Sequence, residues 1–255
     1  MKVDVFIPCL ADQFRPETAG NLYKVLRHLG VEIIYPESQT CCGLMAYNEG
    51  HWDEVKIIGE KFINEFNSDR YVVIPSATCA NMVRNNYSRF FYNTSFHLEY
   101  KKLQSRVFEL SDFLINVMHV SAWKGKYKAH VFFHADSNTY YDYGIKDEPL
   151  QLLSMIEGLT LVSEKKNDSE CGFGGSFSLS YPQLSSDFAL ELLKSAKDAG
   201  ADTIVTLETS CMIQLESVAL KNEISVKIMT LTDLLAESLR FSDAVFTDDP
   251  QMTLG

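Results

Sequence analysis

The stretch Tyr71-Val72-Val73-Ile74-Pro75-Ser76-Ala77-Thr78-Cys79 has a counterpart in Thr203-Ile204-Val205-Thr206-Leu207-Glu208-Thr209-Ser210-Cys211. In each, a short run rich in β-branched residues reads as a buried strand, and a small or hydroxylated segment carries the chain to a cysteine just past the strand end. The correspondence continues outward on both sides. The apolar run Val3 to Pro8, ending at Cys9, resembles His130 to His134, which runs on through Ala135 and Asp136 to Ser137. Thr40-Cys41-Cys42-Gly43 matches Ser169-Glu170-Cys171-Gly172, and Val107 to Leu114 matches Lys227 to Leu234. The counterparts lie 128, 129, 132 and 120 residues apart in preserved order, which chance similarity rarely produces.

The chain is therefore read as one unit used twice. Residues 1–123 form a first repeat with a complete cysteine set, and 129–240 a second with a degenerate set. The polar stretch Lys124-Gly125-Lys126-Tyr127-Lys128 joins them, and an acidic tail occupies 241–255. Strands are expected at about 3–8, 31–35, 71–75 and 106–110, and again at about 130–134, 159–163, 203–207 and 226–230. Helical patterns fall between them, at about 16–29, 50–66, 80–91, 111–119, 148–156, 182–198, 211–221 and 232–239. Gly30, Gly158 and Gly200 sit where helices should stop. This alternation predicts an α/β fold of two Rossmann-like units, each a mainly parallel sheet flanked by helices.

Composition narrows the function classes. The 255 residues are 46% apolar, ample for a buried core without staples. The formal net charge of −11 opposes nucleic acid and anionic membrane surfaces as partners. No run approaches the ~20 apolar residues of a membrane span, and the N-terminus reads as a first strand and not as a signal peptide. A cytoplasmic location is expected, where six cysteines serve as reduced ligands or core residues and not as disulfides.

Cys9 and Cys79 follow strand ends, and Cys41 and Cys42 lie in the loop after strand two. All four are thus expected at the carboxyl edge of one sheet, where ligands of open α/β folds collect. Three readings of them compete. An iron–sulfur cluster takes soft thiolates from separate loops and from adjacent residues. Zinc accepts four thiolates but is usually presented with C-x-x-C pairs, which are absent here. Buried free thiols are the third reading. The spacing favours them in that order.

Cys9, Cys41-Cys42-Gly43 and Cys79, with their spacing, resemble the cysteine-rich CCG domain of heterodisulfide reductase and its relatives. The duplication, the stretch Cys171-Gly172-Phe173-Gly174-Gly175-Ser176-Phe177-Ser178, Ser180-Tyr181-Pro182 and Glu208-Thr209-Ser210-Cys211 look like the lactate utilization A branch of that family. Similar modules end the iron–sulfur subunits of glycolate oxidase and anaerobic glycerol-3-phosphate dehydrogenase. The resemblance covers about residues 1 to 240. It implies a cytoplasmic iron–sulfur electron-transfer subunit that acts with two partner subunits in oxidising L-lactate to pyruvate, with one [4Fe-4S] cluster on Cys9, Cys41, Cys42 and Cys79. A related complex oxidising glycolate or glycerol-3-phosphate and a zinc-stabilised, non-redox scaffold are the alternatives. The family pattern often closes this motif with C-x-x-C; Met82 stands in the last position here, leaving four thiolates and no fifth. In the second repeat Ser137 and Glu170 occupy cysteine positions, so no cluster is expected there. A mixed zinc site on Cys171, Cys211, Glu170 and His134 is the lesser possibility.

Other features carry two readings each. Gly172 to Gly175 lacks the G-x-G-x-x-G spacing of a nucleotide loop and fits a tight turn better. His134, Asp136 and Ser137 have the residue types of a hydrolase triad but are too close in sequence for triad geometry. Tyr87, Phe90, Phe91, Tyr92, Phe96 and Tyr100, beside Arg84, Arg89, Lys101 and Lys102, suit either core packing or a docking surface. Tyr140, Tyr141 and Tyr143 suit core packing better than a substrate pocket.

Overall fold

The β-branched runs form strands and the amphipathic runs pack against them. The computed structural model describes residues 1–162 and 170–239. The first repeat runs β1 (Lys2–Val5), α1 (Cys9–Phe14), α2 (Glu17–His28), β2 (Glu32–Ile34), α3 (Leu44–Asn48), α4 (Trp52–Glu65), β3 (Tyr71–Ile74) and α5 (Ala77–Asn81). A π-helical turn over Met82–Asn86 leads to α6 (Ser88–Phe91), α7 (His97–Gln104), β4 (Val107–Glu109) and α8 (Leu110–Asp112), which continues as a π turn over Phe113–Val117. The second repeat runs β5 (Lys126–His134), a π turn over Asn138–Tyr143, α9 (Glu148–Ser154), β6 (Glu157–Leu161) and α10 (Ser176–Ser180). It ends with α11 (Pro182–Asp198), β7 (Thr203–Thr206), α12 (Thr209–Lys221), β8 (Lys227–Thr230) and α13 (Leu231–Leu239).

Each repeat builds a four-stranded parallel sheet, in the orders β2-β1-β3-β4 and β6-β5-β7-β8. The registers correspond: Val5 lies opposite Val73 in the first sheet as Phe133 lies opposite Val205 in the second. Strands β3 and β7 are covered on both faces, which is why they read as continuous apolar or β-branched runs and not as alternations. Strand β5 begins at Lys126, inside the stretch expected to be a joint, and Trp123 just before it is core, its Nε1 donating to Ser238 Oγ at 2.8 Å. Residues 126–128 of the joint are therefore strand, with Lys124, Lys126 and Lys128 exposed. Ser163, Ser169, residue 240 and the tail 241–255 lie outside the described residues.

The repeats share one core. It gathers Val3, Leu22, Leu26, Phe113 and Leu114 from the first with Val131, Leu152, Leu153, Leu234 and Leu235 from the second. The contacts run both ways, since α13 of the second repeat rests on α2 of the first and α8 of the first rests on α9 of the second. At one seam, between α2 and α13, the buried carboxylate of Asp233 accepts from Asn21 Nδ2 at 2.9 Å and from Thr230 Oγ1 at 2.7 Å. At the other, Asn116 Nδ2 donates to Glu148 Oε1 at 3.0 Å. Each fully buried Leu or Phe contributes about 1.5–3 kcal/mol, so a shared core of this size binds the two repeats tightly. Two further cores lie on the outer faces, one around Phe6, Phe62, Phe66 and Tyr87, the other around Phe132, Leu192 and Leu215. Among the described residues no helix is long and apolar enough to cross a membrane.

Candidate metal centre

In both sheets the strand order reverses between the first strand and the third in sequence. The chain leaves that switch point in opposite directions and opens a crevice at the carboxyl ends. Cys9 follows β1 as the first residue of α1, and Cys79 follows β3 inside α5, so these two flank the crevice of the first sheet. Cys41 and Cys42 are brought there by Gln39. Its Oε1 accepts from Ile7 N at 2.7 Å and its Nε2 donates to Val5 O at 3.2 Å and Pro36 O at 3.0 Å, pinning the loop to the end of β1. Gly43 then turns the chain into α3 with φ +84°, a conformation that favours glycine.

The four thiols sit in two pairs. Cys9 Sγ lies 3.9 Å from Cys41 Sγ, and Cys42 Sγ 3.2 Å from Cys79 Sγ. Cys9 and Cys41 are half-buried and Cys42 and Cys79 are buried. Interaction with the neighbouring Cys42 and Cys9 side chains pushes Cys41 down to about 2, with the Gly43 N–H at 3.3 Å helping. The same hydrogen bonds push Cys9 and Cys42 up. Supporting contacts hold the pairs in place: Ser76 Oγ caps α5 by accepting from Cys79 N at 3.2 Å, and Tyr87 OH donates to Cys42 O at 2.9 Å. Met82 is buried in the aromatic core and completes no ligand set.

The second repeat reproduces this pairing with changed chemistry. Where Cys9 meets Cys41, Ser137 meets Glu170: the Ser137 N–H donates to Glu170 Oε1 at 3.1 Å and its hydroxyl donates to the same oxygen. Where Cys42 meets Cys79, Cys171 and Cys211 form a disulfide. This corrects the expectation that every cysteine is reduced; a loop cysteine and a cysteine in the first turn of α12, brought within bonding reach at the crevice, can pair whatever the rest of the site has lost. Of the four residues considered for zinc, Glu170 accepts through Oε1 from Ser137. His134, Cys171 and Cys211 do stand together, with ligand atoms all within 4.8 Å of one another. His134 is completely buried, which pushes its imidazole down to about 4 and keeps it neutral.

Both sites open onto one cavity of ≈ 330 Å³, walled by Cys9, Cys41, Cys42 and Cys79 on one side and by Ser137, Glu170, Cys171 and Cys211 on the other. Buried carboxylates complete it. Asp136 is pushed up to about 6 by burial, while its Oδ1 accepts from Thr139 N at 2.7 Å. Glu208 is the contributor that sequence reasoning passed over. It leaves its own repeat to accept from Ser76 Oγ at 2.8 Å, Thr78 N at 2.7 Å and Thr78 Oγ1 at 2.8 Å, bracing the start of the helix that carries Cys79. Burial, then the nearby Asp136 charge, push it up to about 8. A signal was present: the repeat match sets Glu208 against the capping Ser76, a carboxylate where a small hydroxyl suffices.

The remaining candidates resolve into structure. Gly172, Gly174 and Gly175 all have positive φ, and a Cβ on Gly172 would lie 2.2 Å from Ser185 O, so this stretch is the tight turn. His134 makes no hydrogen bond to Asp136 or Ser137 among the described residues, which excludes the triad. Tyr87, Phe90, Phe91 and Tyr100 are core. Arg84 is engaged by Asp112 Oδ2 at 2.8 Å and by Tyr143 OH at 2.9 Å, while Tyr92 and Tyr141 are exposed.

Comparison with known proteins bears on this arrangement. The family profile described as the CCG cysteine-rich domain matches residues 3–84 and again 136–216. Lactate utilization protein A 2 of Bacillus cereus strain Q1 is 33% identical over 240 residues, covering 94% of this chain and 99% of the relative. Lactate utilization protein A 1 of Bacillus anthracis is 32% identical with the same coverage. Among solved structures, glutamate racemase from Francisella tularensis matches 94% of this chain and 80% of its own at 11% identity and a TM-score of 0.37, too loose a likeness to carry an argument.

Proposed function

The chain belongs to the family of CCG cysteine-rich proteins that includes the lactate utilization A proteins, and on that premise we propose that it is an iron–sulfur electron-transfer subunit of a cytoplasmic complex oxidising L-lactate to pyruvate. The observation that carries this reading is the convergence of Cys9, Cys41, Cys42 and Cys79, from three separate segments, on one wall of a cavity. Four soft thiolates from three separate segments are a donor set that a [4Fe-4S] cluster takes, and these four residues would hold it. Such a cluster supplies one-electron transfer at a potential set by hydrogen bonding, charge and burial. The chain's own residues set those terms. Gly43 N–H donates to the Cys41 sulfur. Ser76 and Glu208 fix the helix bearing Cys79. Cys42 and Cys79 face the protein interior, whereas Cys9 and Cys41 reach toward solvent, where an electron is exchanged with a partner subunit. The chain works with two partner subunits and does not turn over lactate alone. The second repeat, with a serine and a glutamate at two ligand positions, holds no cluster.

The name of the relatives brings lactate to this chain; nothing in the cavity distinguishes lactate from glycolate or glycerol-3-phosphate. Protein purified without oxygen should be brown and hold about four iron and four acid-labile sulfide per chain. A strain lacking the gene should lose growth on L-lactate and keep growth on pyruvate. Normal growth on lactate refutes the substrate, and a colourless protein after cluster reconstitution refutes the redox role.

One observation favours a second reading. The 3.9 Å between Cys9 and Cys41 Sγ is close to the ~3.8 Å edge of a tetrahedron with Zn–S bonds of ~2.3 Å, as in a zinc-stabilised scaffold. Stoichiometric zinc that cluster reconstitution fails to displace would establish it.

A further inference from the structure

We propose that His134, Cys171 and Cys211 form a redox-gated site for a borderline-soft divalent cation of the zinc type, closed to the ion while the disulfide stands and open once it is reduced. The site is independent of the cluster reading of the first repeat. Its starting point is an anomaly of burial. By the alignment of the repeats, His134 occupies the place of Phe6, and both side chains are fully buried. Phe6 packs edge-on against Phe62 and Phe66, as an apolar position should. His134 puts two polar nitrogens into the same kind of place, and neither Nδ1 nor Nε2 has a hydrogen-bond partner among the described residues. Burying a polar ring without partners carries a desolvation cost, and a cost of that kind calls for a role. The role is in the neighbourhood: the imidazole and both sulfurs lie within 4.8 Å of one another.

The chemistry is specific. Two thiolates and an imidazole are a donor set for zinc and exclude calcium and magnesium, which take oxygen ligands. Cys171 and Cys211 line the cavity while His134 stands behind its wall, so three protein ligands come from the protein side and the fourth position faces the cavity. Three protein ligands with one open position are the pattern of reactive and not of purely structural zinc. In the oxidised state each sulfur's bonding capacity is used by the other. A dithiol reductant opens the site: it gives two electrons to the disulfide and becomes a disulfide itself, its two protons passing to Cys171 and Cys211. Binding of the cation then releases these protons to solvent. Thiol–disulfide exchange in the reverse direction re-forms the bond and frees the ion.

The test uses the full chain, reduced with a water-soluble phosphine that takes its oxygen from water and becomes the phosphine oxide, then freed of phosphine under nitrogen and given zinc ions. Wild type should bind one more zinc per chain than His134→Phe or Cys211→Ser treated identically, with zinc at that site weakened by more than the ~10–100-fold typical for losing a residue that merely supports a ligand. His134→Phe restores the residue type the first repeat tolerates there, so it should fold. Ions held in the first repeat are common to all three proteins and cancel. If either variant is unstable, alkylation of reduced wild type decides: zinc should shield Cys171 and Cys211, and a chelator should expose them. Equal zinc content in wild type and His134→Phe, or alkylation of these two cysteines at the same rate with and without zinc, overturns the proposal.

Discussion

Replacing Glu208 with glutamine should make the stability of this protein less sensitive to pH, and the size of the effect follows from where the carboxylate lies. Glu208 is fully buried and accepts three hydrogen bonds from Ser76 and Thr78 of the other repeat, with Asp136 as its charged neighbour. Its folded-state value is about 8 against an ordinary value of 4.5. Between those values the native protein keeps a proton that the unfolded chain gives up. The contribution to stability is therefore complete below about pH 4.5 and declines as pH rises, levelling off above about 8. Each unit corresponds to 1.36 kcal/mol, so the full decline attributable to this residue is on the order of 5 kcal/mol. Glutamine keeps an acceptor for the Thr78 N–H and offers two donors that the Ser76 and Thr78 hydroxyls can accept, without a charge to bury. At pH 5 the variant should lie within about 1 kcal/mol of wild type. At pH 8 it should be more stable by about 2–4 kcal/mol, or roughly 5–15 °C in Tm for a chain of this length. Glu208→Ala leaves the Thr78 N–H without its partner, costing about 1–3 kcal/mol more than glutamine at every pH. Thermal melts of the three proteins from pH 5 to 8 provide the measurement. Parallel pH profiles for wild type and Glu208→Gln would show that this carboxylate stays charged at neutral pH, and the reasoning would fail.

Cys42→Ala should abolish the visible absorption and iron content of anaerobically purified protein, whereas Cys171→Ala should leave most of both; equal losses, or equimolar centres in the two repeats, refute the one-cluster assignment. Gly172→Ala forces a Cβ to within 2.2 Å of Ser185 O and should cost more than about 4 kcal/mol. Gly200→Ala, with φ +79° and open space around it, should cost only the ~1–2 kcal/mol of left-handed strain; urea melts that rank the two equally refute the packing of the turn. Tyr87→Phe leaves the Cys42 carbonyl without its donor and should lower stability by about 1–3 kcal/mol, with cluster loss under oxygen faster than in wild type.

The sequence was most legible where one residue's environment is set by its neighbours along the chain. The runs 71–75 and 203–207 became central strands because residues covered on both faces leave an unbroken apolar or β-branched signature. The repeat match was legible to the level of pairs, since Ser137 meets Glu170 as Cys9 meets Cys41. Short elements escaped. Helices α1 and α3 are single turns fixed by Pro8 and Gly43 and by tertiary contacts, with no room for a helical period. The π turns, one of which carries α5 on through Asn86, have a spacing that an α-helical reading cannot express. The disulfide and the reach of Glu208 across the seam were illegible for another reason: both depend on distances between residues 40 and 130 positions apart.

The packing of α13 on α2 and of α8 on α9 has a consequence for what each half can do without the other. A chain cut to its first 123 residues would still encode Cys9, Cys41, Cys42 and Cys79. It would lose the far wall of their cavity and expose Leu22, Leu26, Phe113 and Leu114, which the other half now covers. The duplicate can therefore shed its own ligands without becoming dispensable. The second repeat's interior side chains thus shelter the first repeat's core and the far wall of its cavity, so a substitution among them should be felt on both sides of the seam.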